Sequence, residues 1–369
     1  MGKLEKLNKK GSVLQYRANA DDYTCSPTSN LSPSLDYQEL ADFSSSGRKR
    51  PWIDKKAKSM LVSSGFNQIA NVMYPDVEKE INSNKLNHEY YLKKAETIRK
   101  CGFRITFKRF EDNSLKLHQA LFCKQRLCPM CSWRRSLKIF SQVSLLMNTI
   151  QAENDYDYLF LTLTVKNVDG PMLSDTLDNL IDGYLKLIRK TIVKKNVKGA
   201  FRAIEITYNR NTNMYHPHIH VVLCVNKDYF QKGYISNTQW SDLWKDCMNL
   251  DYQPIIDIRK TYGDKVKSIA EVAKYATKDD DLLIFENNKK EVNLEVLFTL
   301  DDALANRRLI SYSGIFKQYQ SKLNLQDPED GDLVHIDDDS IRPDLSYTLE
   351  TYSWRCGTYS RIDNINKTA

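Results

Sequence analysis

The densest chemistry in the chain is Tyr215-His216-Pro217-His218-Ile219-His220-Val221-Val222-Leu223, which holds three of the six histidines and runs straight into an apolar, β-branched segment. Read as a strand, its period of two puts His216, His218 and His220 on one face and Ile219 and Val221 on the other. Two imidazoles at i and i+2 on a rigid strand make half of a metal site, because neutral rings side by side gain nothing from each other without an ion or a partner. A further ligand is offered by Glu205 in Phe201-Arg202-Ala203-Ile204-Glu205-Ile206-Thr207-Tyr208 on the preceding strand. Between the two strands, Asn209-Arg210-Asn211-Thr212-Asn213 supplies the polar turn of a hairpin. Carboxylate or water oxygens beside two histidine nitrogens suit Mg²⁺ or Mn²⁺ better than a structural Zn²⁺.

A second set of ligands is Cys101, Cys123, Cys128 and Cys131, with Cys128-Pro129-Met130-Cys131 as a tight knuckle. The spacing matches a zinc-ribbon-like site closed by four ligands, structural rather than catalytic, in which His118 can stand in for one thiolate. Lys124, Arg126, Arg134 and Arg135 surround the knuckle, so the same module is expected to grip DNA. Arg48-Lys49-Arg50, beside Trp52, is a further phosphate-binding candidate.

These residues need a scaffold. Tyr158–Val165 reads as a central strand, and a helix follows through Leu177, Leu180, Tyr184, Leu187 and Ile188, with Ser174 as its N-cap. After the 201–208 and 217–225 hairpin come a helix through Trp240, Leu243, Trp244, Cys247 and Met248 and a short strand over 254–260. This β-α-β-β-α-β order predicts an α+β fold, a ferredoxin-like antiparallel sheet with helices on one face, beside the zinc-ribbon-like module. A last helix over 269–278 buries Ile269, Val272, Ala273 and Ala276 and gathers Glu271, Tyr275 and Lys278 on another face.

Composition bounds the partners. The net charge of +7 is uneven: 325–350 holds nine acidic residues against Arg342, so the rest of the chain carries +15. A basic body with an acidic end points to a polyanionic partner, most simply nucleic acid. No run approaches the ~18 apolar residues of a membrane span, and the start lacks a signal-peptide core, so a cytosolic protein with reduced cysteines and no membrane partner is expected. Five segments follow: a flexible arm (1–46), a basic segment with the four-cysteine zinc module (47–150), a domain around the histidine strand (155–285), a helical C-terminal extension (286–324) and an acidic tail (325–369).

Phe160-Leu161-Thr162-Leu163-Thr164, His218-Ile219-His220 and Glu271-x3-Tyr275-x2-Lys278 occur in the order of the three motifs of the HUH endonucleases. More closely, the chain resembles the replication initiator (Rep) proteins of rolling-circle plasmids of the pUB110 and pC194 kind. Phe122 to Cys131, Phe160 to Asn167, Tyr215 to Leu223, Arg308 to Tyr312 and Glu329 to Leu333 carry that resemblance over about residues 47–340. It implies an HUH sheet in which His218 and His220 hold a divalent metal with Glu205, or His216 in competition, as third ligand. It further implies that Tyr275 attacks one phosphodiester of the plasmid origin, leaving a 5′-phosphotyrosine and a 3′-OH primer, with Lys278 adding charge and Glu271 activating water for termination. A host helicase would separate the strands, and a homo-oligomer is compatible. A relaxase, an HUH transposase and a non-catalytic zinc-dependent DNA-binding regulator are the alternatives.

Overall fold

The computed structural model describes residues 39–44, 46–73, 82–261, 265–274, 276–286, 289–336 and 346–362. In chain order come helices α1 (Trp52–Met73) and α2 (Asn82–Lys100), strands β1 (Arg104–Phe110) and β2 (Leu115–Ala120), helix α3 (Pro129–Glu153) and strand β3 (Tyr156–Thr164). Helices α4 (Gly170–Arg189) and α5 (Thr191–Asn196), strands β4 (Val197–Asn209) and β5 (Met214–Asn226), helices α6 (Tyr229–Lys232) and α7 (Asn237–Met248), strand β6 (Ile256–Lys260) and helix α8 (Lys265–Val272) follow. The remainder holds strands β7 (Ala276–Thr277), β8 (Leu283–Glu286) and β9 (Lys289–Val292), helix α9 (Leu294–Leu304), strand β10 (Ile310–Gly314), helix α10 (Ile315–Lys322) and strands β11 (Tyr347–Arg355) and β12 (Thr358–Ile362). Two compact units result, one of Met1–Cys131, Phe285–Leu297 and Leu333–Ala369, the other of Ser132–Ile284 and Phe298–Asp332.

The second unit is built on an antiparallel sheet in the order β10-β4-β5-β3-β6, with β7 running parallel to β4. Strands β3 and β5 are buried along most of their length, as expected of central strands with both faces covered. Helix α4 lies on the face of Val221, shown by the Arg202 guanidinium, whose backbone pairs with Val221, seated 5.6 Å from the Tyr184 ring. Gly183 lets α4 and α7 approach, since a Cβ there would fall 2.2 Å from Met248 Sδ. On the opposite face, α10 and α3 cover the end away from the histidines: Phe316 meets Tyr158 at 6.1 Å between ring centroids, and Tyr158 Oη donates to the Met147 carbonyl. The molecule is thus α+β with antiparallel sheets.

Several expectations change. The N-cap of α4 is Asp169, accepting from Met172 N at 3.1 Å, and not Ser174. Backbone bonds between Val168 and Tyr215 fix the chain just before Asp169, so the helix starts as soon as that bridge ends, and Ser174 Oγ instead accepts from Arg307. The helix expected over 269–278 stops at Val272, because Ala276 has φ 49° and pairs in parallel register with Glu205. The extension over 286–324 is not wholly helical, since β10 adds an edge strand against β4.

The acidic tail over 325–369 and the last residues of the flexible arm are also built into the fold. Glu329 is buried and accepts from Leu309 N and Ile310 N in the second unit. In the first unit, β11 is an inner strand of the sheet β12-β11-β1-β2, and Glu39 bridges to Ser360 with Leu40 buried. Residues 1–38 of the arm lie outside the described residues.

Glu350, 3% exposed on β11, accepts from Arg109 at 2.7 Å, Arg361 at 3.0 Å and Tyr352 at 2.9 Å. Burial opposes its ionisation, but the bonds from Arg109 and Tyr352 prevail and hold its carboxyl below the ordinary range. A carboxyl with a depressed pKa contributes stability above its unfolded value of ~4.3 and loses it as pH falls further. Glu350→Gln is therefore expected to cost about 1–3 kcal/mol at pH 7 and less near pH 3, where the wild type has lost the same contribution. Urea unfolding at both pH values checks this, and an equal cost at both contradicts it.

Candidate active site and thiolate centre

The hairpin register puts Glu205 directly across from His218, and His220 between Ala203 on β4 and Thr162 on β3. One carboxylate oxygen, Glu205 Oε2, lies 3.3 Å from His218 Nε2 and 3.0 Å from His220 Nε2. All three residues are buried, at 3%, 8% and 5% exposure. Burial raises the cost of ionising Glu205, yet the hydrogen bonds and charge of His218 and His220 overcome it and hold the carboxyl well below its usual range.

These groups fit a divalent ion. Ligand atoms at ~2.1 Å from one ion and at right angles stand about 3.0 Å apart, close to the two Glu205–histidine separations. The tautomers point the same way. His218 Nδ1 donates to the His216 carbonyl at 3.1 Å, which orients the ring so that Nε2 is aimed at Glu205 Oε2, the point at which an ion would meet both. His220 is held from behind by Thr162 Oγ1, 3.2 Å from its Nδ1, and stacks on Phe160 with centroids 5.5 Å apart.

His216 stands apart from this trio. Its Nδ1 meets Asn167 Oδ1 at 2.8 Å, and its ring centroid lies 5.2 Å from that of His218. Burial, and secondly the His218 charge, push its pKa down. Glu271 Oε1 is 4.0 Å from His220 Nε2 and 2.5 Å from Lys274 Nζ. The ammonium beside Glu271 is thus Lys274, and Lys278 leaves the helix face on which it was expected, because α8 ends first and Lys278 caps a 3-10 turn. Tyr275 lies outside the described residues. Thr162 and Asn167 lie in a stretch that carries the resemblance, but their contacts with His220 and His216 follow only from the pairing of β3 and the residues after it with β5, and that of Lys274 only from the true end of α8.

In the first unit, the Sγ atoms of Cys101, Cys123, Cys128 and Cys131 all lie within 4.8 Å of one another. Cys131 Sγ is 3.5 Å from Cys101 Sγ and 3.6 Å from Cys123 Sγ, too far for a disulfide. Sulfurs at ~2.3 Å from a common tetrahedral ion stand about 3.8 Å apart, so the cluster fits one metal. Cys123 N donates to Cys101 Sγ and Lys124 N to Cys131 Sγ, at 3.4 and 3.2 Å, the bonds that a knuckle of anionic sulfurs attracts. Lys56, fully buried, donates to the Arg99 and Cys101 carbonyls and brings a positive charge to the same centre. His118, on β2, is not part of the cluster.

Of the expected DNA-gripping residues, Arg134 and Arg135 are withdrawn from any nucleic acid, being 3% and 1% exposed. Arg135 Nε donates to the Glu329 carbonyl, and Arg134 lies against the Trp133 ring, so α3 uses both inside the fold. Arg48 is exposed and Arg126 half-buried, while Lys49 pairs with Glu39 at 3.2 Å and Arg50 with Asp42 at 3.5 Å. No helix among the described residues is long and apolar enough to cross a membrane.

The model of the replication protein family matches residues 114–360. A Protein rep of Bacillus amyloliquefaciens is 41% identical over 322 residues, spanning 82% of this chain and 91% of the relative. One of Bacillus sp. is 45% identical over 270 residues, 68% of this chain and 88% of that protein. The Protein rep of Streptococcus pneumoniae is 37% identical over 308 residues, 82% and 88% of the two chains. No solved structure matches the chain.

Proposed function

The chain belongs to the replication protein family, as a plasmid replication initiator, and on that premise we propose that it nicks one strand of the plasmid origin through a phosphotyrosine intermediate. The observation that carries the reading is the convergence of His218 Nε2 and His220 Nε2 on one oxygen of buried Glu205. In the proposed reaction the Tyr275 phenol oxygen attacks the scissile phosphorus, the P–O3′ bond breaks, and the phenol proton is carried to the departing 3′ oxygen. A 5′-phosphotyrosine and a free 3′-OH primer result. A free phenol with pKa near 10 is only ~0.1% ionised at pH 7, so the nucleophile needs a partner for its proton. The Mg²⁺ or Mn²⁺ that His218, His220 and Glu205 would hold supplies Lewis-acid stabilisation of the phosphate charge. Glu271, 4.0 Å from His220, would take a proton from water in the terminating hydrolysis. Because the phosphotyrosine conserves the bond energy, rejoining needs no nucleotide, and duplex opening falls to a separate helicase.

The test is to incubate the chain with end-labelled single-stranded origin DNA and Mn²⁺ and run a denaturing gel. A slow, metal-dependent covalent band supports the reading. Binding to the same DNA without an adduct under any metal condition overturns it in favour of a non-catalytic DNA-binding protein.

For the four thiols the reading is a structural Zn²⁺, since a closed tetrathiolate leaves no open position for chemistry. Elemental analysis should find one zinc per chain. Cys128→Ser, at a buried position, should lose it and melt at least ~10 °C lower, since structural zinc contributes several kcal/mol or more to folding. Full thermal stability in the metal-stripped wild type would refute the assignment.

A further inference from the structure

Beside the histidine pocket, on the side of His216, lies a shallow cavity of about 650 Å³ whose walls include Asn167, Tyr208, Arg210, Asn211, His216 and Asp281. Its size falls within the ~300–1,000 Å³ of sites that take small organic groups. The Asn-rich turn between β4 and β5 supplies one wall, and so does more than reverse the chain. His216 closes the side nearest the metal ligands, its ring held by Asn167 and 5.2 Å from the His218 ring. The Tyr208 backbone N–H belongs to another wall and donates to Asp281 Oδ2 at 3.2 Å, while the Tyr208 ring packs 5.1 Å from that of Tyr215, its partner in register, on the other face of the sheet from His216.

The chemistry of these walls selects among the parts of a nucleic acid. A phosphate site is lined by donors and positive charge. Here the only guanidinium of the lining, Arg210, already donates to the Asp280 carbonyl, and a carboxylate, Asp281, lines the same cavity. A carboxylate repels phosphate but accepts from the exocyclic amino group of a base, and asparagine amides pair donor and acceptor with a base edge. The His216 ring offers a flat face on which a base can stack, as single-stranded nucleic acid commonly does on aromatic side chains. Solvent-exposed Asn167 and Asn211 leave the cavity open to an incoming strand.

We infer that this cavity is a base-binding subsite, which receives one unpaired nucleobase of the nicked strand flanking the scissile phosphate and makes cleavage selective for it. The inference rests on the nicking reading above. It also gives His216 a task distinct from metal ligation, as a positioning residue between the ligands and the bound base.

The experiment uses the full chain, Mn²⁺ and a series of end-labelled single-stranded origin oligonucleotides, each with one abasic site at a successive position around the nick. Single-turnover adduct formation is measured for wild type, Asn211→Ala and Asp281→Asn. Asn211 is exposed in the turn, so its truncation leaves the fold intact. Wild type should lose about tenfold or more in rate at one flanking position, the size of one bidentate amide–base contact. Asn211→Ala should cut the intact strand about tenfold more slowly and be nearly indifferent to the abasic site at that position. Asp281→Asn should change which base is preferred there, since it exchanges an acceptor for a donor. Cleavage by wild type that ignores every flanking abasic site overturns the subsite, as does an abasic penalty that persists undiminished in both variants. No adduct from wild type on any strand removes the nicking reading itself and the subsite with it.

Discussion

Glu205→Gln is expected to lower Mn²⁺ affinity and to slow adduct formation at least about a hundredfold, while the protein stays folded. The exchange keeps the shape of the side chain and removes its charge. In the wild type, one oxygen serves both imidazoles, at 3.3 and 3.0 Å, in a pocket with almost no solvent to substitute for it. The amide offers at best a neutral oxygen, and two neutral rings with a neutral oxygen hold a dication far more weakly than the same set with a carboxylate. High Mn²⁺ should restore part of the rate, which separates a metal-affinity defect from a misfolded pocket. Protonation of Glu205 itself should not mimic the variant in the neutral range. The Glu205 carboxyl is held below its ordinary range, so its contribution is complete above the unfolded value of ~4.3 and is lost only at lower pH. Calorimetric titration with Mn²⁺ and a gel time course suffice, and wild-type affinity together with a wild-type rate would remove Glu205 from the site.

That Glu205 faces His218 is legible in the amino-acid sequence, because a hairpin with a polar Asn-rich turn and period-two strands leaves few registers that bury both apolar faces. The four cysteines are legible for a similar reason: local spacing alone forms the knuckle. What stays hidden depends on long-range closure. Glu350 looks like part of an acidic tail until β11 brings it between Arg109 and Arg361, the first far from it along the chain and the second on the next strand. Arg134 and Arg135 look like a phosphate grip until α3 turns them inward, where burial makes them part of the packing. The end of α8 is concealed because Ala273 and Ala276 continue the helical stripe, whereas the chain leaves the helix to pair Ala276 with Glu205. Local propensity is the weaker term when a sheet edge offers backbone partners.

Tyr275→Phe should abolish the covalent band, a loss of at least about a thousandfold, and leave Mn²⁺ affinity and DNA binding unchanged. Only the phenol oxygen is removed, and no group of phenylalanine can replace it as nucleophile. Among 21 tyrosines the choice is narrowed by burial and bonding. Tyr158, Tyr184, Tyr215, Tyr229, Tyr312, Tyr352 and Tyr359 are buried and cannot meet a phosphodiester. Burial pushes the Tyr184 phenol up to about 12, further from an ionised nucleophile. Tyr208 and Tyr252 lie nearer the surface, but Tyr208 donates its hydroxyl to Asn213, and Tyr252 Oη accepts from Lys166 N. Tyr275 instead stands in the sequence one residue before Ala276, whose backbone pairs with Glu205. Tyr208→Phe is the matched control: it should still give the adduct, with the wild-type preference at the flanking base. A covalent band that survives in Tyr275→Phe and disappears in Tyr208→Phe would move the nucleophile to Tyr208.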